Sequence, residues 1–322
     1  MRVIRRYLHL TFLELVVGEG LPCFGEMAVM TSSLVFGRVA TGGTVAVLLL
    51  VLLAALLHAI WNFMAKLIDD QVLGFWLINA AVSVSGGVLV LIVGVPSHLP
   101  WLLLAASTCI HVAYNLFLLN SYRFGDLSKV YPIARGMAPP LVTVGAAVFT
   151  GEGVPPLQLA GVVVVVLALL SLSDIGSSKV AFEKSSVLFA VLTGVMIASY
   201  SLVDGIASRQ GENPLSYVGV LMMSEGTLIT CVLSIKLKHI WPKHTPVRSL
   251  VLGIAAGGVS VITYGIVVWS QKRAPLAEVS ALRETSVVFA SLLGTVFLGE
   301  GSKYKRVFAG AVVFVGVLIM LI

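Results

Sequence analysis

Ten apolar runs, each long enough to cross a bilayer as a helix, follow one another along this chain with short connectors between them. They lie at 43–64, 72–94, 99–119, 129–150, 155–173, 186–206, 214–235, 249–270, 277–298 and 306–322. A bilayer-crossing helix needs about 20 mostly apolar residues. The connectors carry breakers and charges, as in Asp69-Asp70-Gln71, Val95-Pro96-Ser97-His98, Gly151-Glu152-Gly153-Val154-Pro155 and the stretch from Lys236 to Pro246. No soluble domain fits between them, so whatever the chain does is done inside the membrane.

Composition closes off the other classes. Hydrophobic residues make up 58% of the 322 and charged residues 11%. Soluble domains run at roughly 45–50% and about 25%. The mean hydropathy of +1.02 agrees. A soluble enzyme, a nucleic-acid binder and a disordered chain are therefore excluded, and the bilayer is the first partner. The excess of 21 Lys and Arg over 15 Asp and Glu reads as cytoplasmic loop charge. Connectors after odd-numbered runs hold twelve Lys or Arg and those after even-numbered runs three, which places the odd connectors in the cytoplasm and both termini outside. Cys23, Cys109 and Cys231 lie too far apart for a disulfide framework or a metal motif.

Residues 1–42 fit the pattern poorly. A basic start (Arg2, Arg5, Arg6) precedes a weak apolar stretch cut by Glu14 and Glu19, without the apolar core or cleavage site of a signal peptide. The reading is a non-native extension, with Met27 or Met30 as the true beginning, ahead of a surface amphipathic helix.

The chain repeats itself. Leu127-Ser128-Lys129-Val130-Tyr131-Pro132-Ile133-Ala134-Arg135 leads into a run ending Phe149-Thr150-Gly151-Glu152. Leu276-Ala277-Glu278-Val279-Ser280-Ala281-Leu282-Arg283 leads into one ending Phe297-Leu298-Gly299-Glu300. Arg135 and Arg283 each stand 17 residues before the closing glutamate, and Ala160-Gly161 and Ala309-Gly310 open the next runs. Tyr114 and Tyr264 open comparable stretches upstream. Two units of five crossings each, at 43–175 and 183–322, must enter the membrane from opposite sides. The fold class expected is an all-α polytopic membrane protein, ten transmembrane helices as two inverted five-helix repeats, the arrangement of many secondary transporters.

Leu57-His58-Ala59-Ile60-Trp61-Asn62-Phe63-Met64-Ala65-Lys66 resembles the first-helix signature of the EamA family, in the drug/metabolite transporter superfamily. Gly125-Asp126-Leu127-Ser128 through Ala138-Pro139 is similar to that family's fourth helix. Ala274-Pro275-Leu276-Ala277 through Glu284-Thr285-Ser286, closing at Gly299-Glu300, is similar to its ninth. The resemblance covers about residues 43–322. It implies a carrier for a small polar metabolite or drug-like compound, exporting or exchanging by alternating access, in a plasma membrane of the bacterial inner-membrane type. A homodimer stays open as a partner arrangement, and no cofactor is implied.

Ionisable groups within spans cost about 2.5–3.5 kcal/mol at the centre on insertion scales and usually mark function. Glu225 sits in mid-run, where an ionised carboxylate is costly, and is the first coupling candidate; Glu284 is the second. A buried pair with an arginine is the structural alternative for Glu225. Arg135 and Arg283 hold equivalent places in the repeats, and a guanidinium fork suits a carboxylate or phosphate. Pro132, Pro139 and Pro140 are expected to loosen and kink the fourth helix, placing Arg135 on the substrate side. Arg283, beside Glu284, is expected to be more structural. His58, Trp61 and Asn62 share one face of the first helix. His111, Tyr114 and Asn115 repeat that spacing in the third, and Tyr200 with Asp204 makes a similar stripe in the sixth. All suit either a cavity wall or an interhelical seam. The histidines lack metal-ligand spacing, so no metal is expected. Glu152 and Glu300 close their helices and fit loop structure. Gly253-x3-Gly257 fits close helix packing.

An intramembrane enzyme needs a placed nucleophile pair or two deep aspartates, and a channel needs charge rings or a repeated filter sequence; no such motif stands in the sequence. Gly-x4-Gly-Lys-Ser/Thr is absent as well, so ATP does not drive the chain directly.

Overall fold

The computed structural model describes residues 42–124, 127–153, 155–172, 184–237, 245–298, 308–313, 315–316 and 319, and residues 46–321 form one compact unit. The expected extension at 1–42 falls outside the described residues but for its last, and Gly299-Glu300 and eight of the 17 residues of the tenth run fall outside them as well. Among the described residues there are helices and no strand. Lipid offers the backbone no hydrogen-bond partners, so each crossing must satisfy its own amides. The helices are α1 (Gly42–Lys66), α2 (Gln71–Val93), α3 (Trp101–Phe124), α4 (Leu127–Thr150), α5 (Pro156–Leu172), α6 (Lys184–Gln210), α7 (Pro214–Leu237), α8 (Val247–Gln271), α9 (Leu276–Arg283) and α10 (Thr285–Leu298). Seven of them, α1 to α4 and α6 to α8, are long and apolar enough to cross a membrane.

Local chemistry sets the ends. Asp70 caps α2, its carboxylate accepting from the amides of Val72 (3.0 Å) and Leu73 (3.1 Å). Gly94 stops the same helix at φ 81°, its amide donating to the Val90 carbonyl. Large apolar side chains such as Leu91, Ile92, Val148, Ile235 and Ile254 stay exposed on the outside, as lipid-facing surface does.

Inside the bundle the backbones approach closely where side chains are missing. A Cβ at Gly226 of α7 would lie 2.6 Å from the Ser83 nitrogen of α2, and one at Gly257 of α8 would lie 2.7 Å from the Ile78 carbonyl oxygen. The Gly253 and Gly257 pair therefore seats α8 on α2, the packing role its spacing indicated. Ser83 Oγ and Thr227 Oγ1 (2.7 Å) and Trp76 Nε1 donating to Ser234 Oγ (2.8 Å) tie α2 to α7. Gly226→Leu is expected to cost more than the ~1–3 kcal/mol of ordinary overpacking, because backbone rather than a flexible side chain fills the space. Folded yield on size exclusion checks it, with Gly258→Leu, where a Cβ meets nothing within 4 Å, as the tolerant control.

One break falls where the prolines do not predict it. The fourth run, with Pro139 and Pro140, is the single helix α4, and the Thr143 hydroxyl donates to the Pro139 carbonyl at 2.8 Å. The ninth run has no proline after Pro275, yet it divides into α9 and α10 at Glu284. There the amides turn tighter: Glu284 donates to Ala281 (3.0 Å) and Val287 to Glu284 (3.0 Å). The cause is tertiary. Arg135 Nη2 of α4 donates to the Arg283 carbonyl (3.3 Å) and to Ser286 Oγ (3.1 Å), holding both sides of the break.

The connectors after α4, α6 and α8 meet at one end of the bundle. Arg209 Nη2 lies 2.7 Å from Glu152 Oε1, and Arg209 also donates to the carbonyls of Gln271 (3.1 Å) and Ala274 (3.1 Å). Lys272 Nζ donates to Gly211 (2.6 Å) and Glu212 (3.0 Å), and the Leu276 amide donates to Glu152 Oε2 (3.0 Å).

Candidate functional site

Ionisable groups are rarely buried unless paired, and here six of them gather in two clusters. The described residues that are both buried and ionisable through Asp, Glu, Arg or His are His111, Arg135, Asp204, Glu225, Arg283 and Glu284.

The first cluster joins α4 to the α9–α10 break. Arg135 Nε lies 3.0 Å from Glu284 Oε2, and both side chains are almost wholly enclosed. Glu284 thus faces the arginine of another helix rather than simply neutralising its chain neighbour Arg283, as the adjacency in sequence had implied. Successive helical residues point about 100° apart, which separates the two side chains. Arg283 Nη1 instead donates to Ser201 Oγ of α6 at 3.3 Å. Both arginines are buried, so the expected contrast between a loose Arg135 and a packed Arg283 is not visible in their exposure. The helix break offers the Arg283 carbonyl as an acceptor, and Arg135 uses it.

The second cluster lies beside the first, one turn further along α6. Asp204 is 0% exposed and accepts twice: Tyr217 Oη donates to Oδ1 at 2.6 Å, and Tyr264 Oη donates to Oδ2. His111 of α3 stands between two carboxylates. Its Nε2 is 4.0 Å from Asp204 Oδ2, and its Nδ1 is 3.6 Å from Glu225 Oε2. Tyr200 stacks on the imidazole with centroids 4.1 Å apart, Tyr264 meets it edge-on at 5.5 Å, and Tyr114 meets Tyr200 edge-on at 5.5 Å. The structural alternative for Glu225 named an arginine partner; the partner in place is a histidine.

The first-helix stripe is only half-buried, and its hydrogen bonds stay within α1. Trp61 Nε1 donates to His58 Nδ1 (3.3 Å), and Asn62 donates to the His58 carbonyl (2.8 Å). Asn115 likewise donates to the His111 carbonyl at 3.0 Å.

Asp204, Tyr217 and Tyr264 are the residues sequence reasoning undervalued. Asp204 stood in a polar stripe, and Tyr264 marked a repeat, but nothing in either local pattern joined them. The usable signal was that Asp204 and Glu225 are two carboxylates within consecutive apolar runs. No group of three or more His, Cys, Asp or Glu among the described residues is arranged to hold a metal ion.

Residues 184–322 match the EamA-like transporter family. No curated protein matches the chain. Among 29 solved chains that do match, one described as "Crystal structure of protein" superposes with a TM-score of 0.69, covering 85% of this chain and 98% of that one. At 18% identity that likeness shows the fold alone. With seven apolar helices of membrane-crossing length and this family match, the protein is a multi-pass membrane protein whose residues 184–322 match the EamA-like transporter family, itself part of the drug/metabolite transporter superfamily.

Proposed function

We propose that the chain is a secondary-active transporter, not an enzyme, that exports or exchanges a small polar metabolite or drug-like compound by alternating access in a bacterial-type plasma membrane. The observation that carries this reading is the buried contact of Arg135 with its repeat mate: Arg135 donates to the Arg283 carbonyl at 3.3 Å and lies 3.0 Å from the adjacent Glu284, so equivalent positions of the two sequence repeats meet. Inverted-repeat carriers place their sites at such a junction, often at broken helices, and α9–α10 is broken there. The meeting of the connectors after α4, α6 and α8 at one bundle end supports alternate crossing and hence ten spans in two inverted repeats.

In this reading Arg135 and Arg283 bind an anionic or strongly polar group of the substrate, with Glu284 as the resident partner it displaces. His58, Trp61 and Asn62 form one wall, and Tyr114, Asn115 and Tyr200 another. Glu225 and Glu284 couple the cycle to an ion. The connectors after odd-numbered spans face the cytoplasm.

Thermal-shift screening of the purified protein against polar metabolites supplies a ligand, and that ligand, labelled, is then assayed in proteoliposomes. Counterflow against an unlabelled internal pool is the expected result, since trans-stimulation needs a carrier. A ligand that stabilises the protein but shows no counterflow overturns the proposal.

A further inference from the structure

We infer that Asp204, His111 and Glu225 form a single proton-binding site, holding one exchangeable proton in common between His111 Nε2 and Glu225 Oε2. The inference rests on the transporter reading only for what the proton is used for, namely coupling.

Charge balance is the first support. Among the described residues the buried Asp, Glu and Arg side chains are two arginines, Arg135 and Arg283, and three carboxylates, Asp204, Glu225 and Glu284. An uncompensated charge away from water is very costly. Two arginines balance two carboxylates and leave one negative charge, which a single proton cancels. Glu284 is matched by Arg135 at 3.0 Å, so the surplus lies in the second cluster.

Hydrogen-bond geometry then locates the proton. Both oxygens of Asp204 accept from tyrosine hydroxyls, which suits the ionised carboxylate. His111 Nδ1 faces the Ser107 carbonyl at 3.0 Å, the Ser107 hydroxyl at 3.1 Å and Glu225 Oε2 at 3.6 Å; the carbonyl can only accept and the hydroxyl can accept as well, and this set assigns a hydrogen to Nδ1. Its other nitrogen, Nε2, is buried without a hydrogen-bond partner and points at Asp204; Glu225 Oε2 is also buried without one and points at Nδ1. These are the two places left for a proton. On Nε2 it makes an imidazolium flanked by two carboxylates; on Oε2 it makes a neutral acid beside a neutral ring.

The titratable groups around the site are few. α3 contributes His111 and Tyr114, α6 Tyr200 and Asp204, α7 Tyr217 and Glu225, and α8 Tyr264, while Arg283 reaches it from α9 through Ser201. α2, packed along α7, has no ionisable side chain. The two cysteines on these helices, Cys109 and Cys231, are exposed and outside the cluster.

The test counts protons on the full-length chain in detergent, without substrate, as pH falls from about 9 to about 5, a range that spans histidine and buried-carboxyl titration. Glu225→Gln is expected to take up one proton fewer per chain than the wild type. Asp204→Asn/Glu225→Gln is also expected to take up one fewer, because the site holds one exchangeable proton in common and that proton can be lost only once. A double variant short of two protons, or a Glu225→Gln short of none, overturns the shared site.

Nitrogen-15 spectra of histidine-labelled wild-type protein give a second measurement that needs no folded carboxylate variant. His111, assigned by its loss in His111→Gln, is expected to keep Nδ1 protonated throughout the range. A ring with bare Nδ1 overturns the assignment. Because neither measurement involves transport, a failed counterflow assay and a failed proton count remain separate results.

Discussion

Replacing Arg135 with methionine is expected to lower stability by about 3–5 kcal/mol, the range for removing one partner of a buried ion pair. Two acceptors lose their donor, the Arg283 carbonyl at 3.3 Å and Ser286 Oγ at 3.1 Å, and Glu284 Oε2 loses the guanidinium that lies 3.0 Å away. Glu284 is left as a buried carboxylate without its counter-charge. Arg135→Met/Glu284→Gln is expected to recover a large part of the loss, since the stranded charge goes too. Thermal unfolding of the purified variants checks the cycle. Equal destabilisation in the single and double variants would show that the contact contributes little and that Arg135 matters for shape alone. Arg135→Lys is a further point on the same series: it restores the charge but not the fork that spans both sides of the break.

Asp204→Leu is expected to produce the other large loss. Leucine keeps the branching of the side chain but leaves the hydroxyls of Tyr217 and Tyr264 buried without their acceptor, at about 1–3 kcal/mol for each unsatisfied group. Asp204→Asn keeps one acceptor oxygen and removes the charge, so it should fold far better than the leucine variant. Adding Tyr217→Phe and Tyr264→Phe to Asp204→Leu removes the stranded hydroxyls and should return much of the lost thermal stability. A leucine variant as stable as the asparagine one would show that the two tyrosines find other partners.

The helices were legible because the bilayer imposes one requirement on every crossing. A run such as Gln71–Val93 must satisfy its own backbone, so its apolar length and its Asp70 cap suffice to place it within a residue or two. The packing glycines Gly253 and Gly257 were legible for a related reason, since spacing alone puts them on one helical face. The ninth run was not. Its division at Glu284 comes from Arg135, 149 positions earlier in the chain, and no local propensity encodes a donor that arrives from another helix.

The same division holds at the candidate site. Sequence by itself determined that Glu225, Arg135, Arg283 and Glu284 lie within apolar runs, because charge inside hydrophobic sequence is visible one residue at a time. Only the tertiary structure decided the pairings: Glu284 with Arg135 rather than simply with its neighbour, and Glu225 with His111 rather than with an arginine. It also brought Asp204 of α6, Tyr217 of α7 and Tyr264 of α8 onto one carboxylate. The physical reason is range. Hydrophobic length acts along the chain and is read from neighbours, whereas a buried charge is settled by whichever opposite charge or donor lies within a few ångströms, and helix packing alone sets that distance.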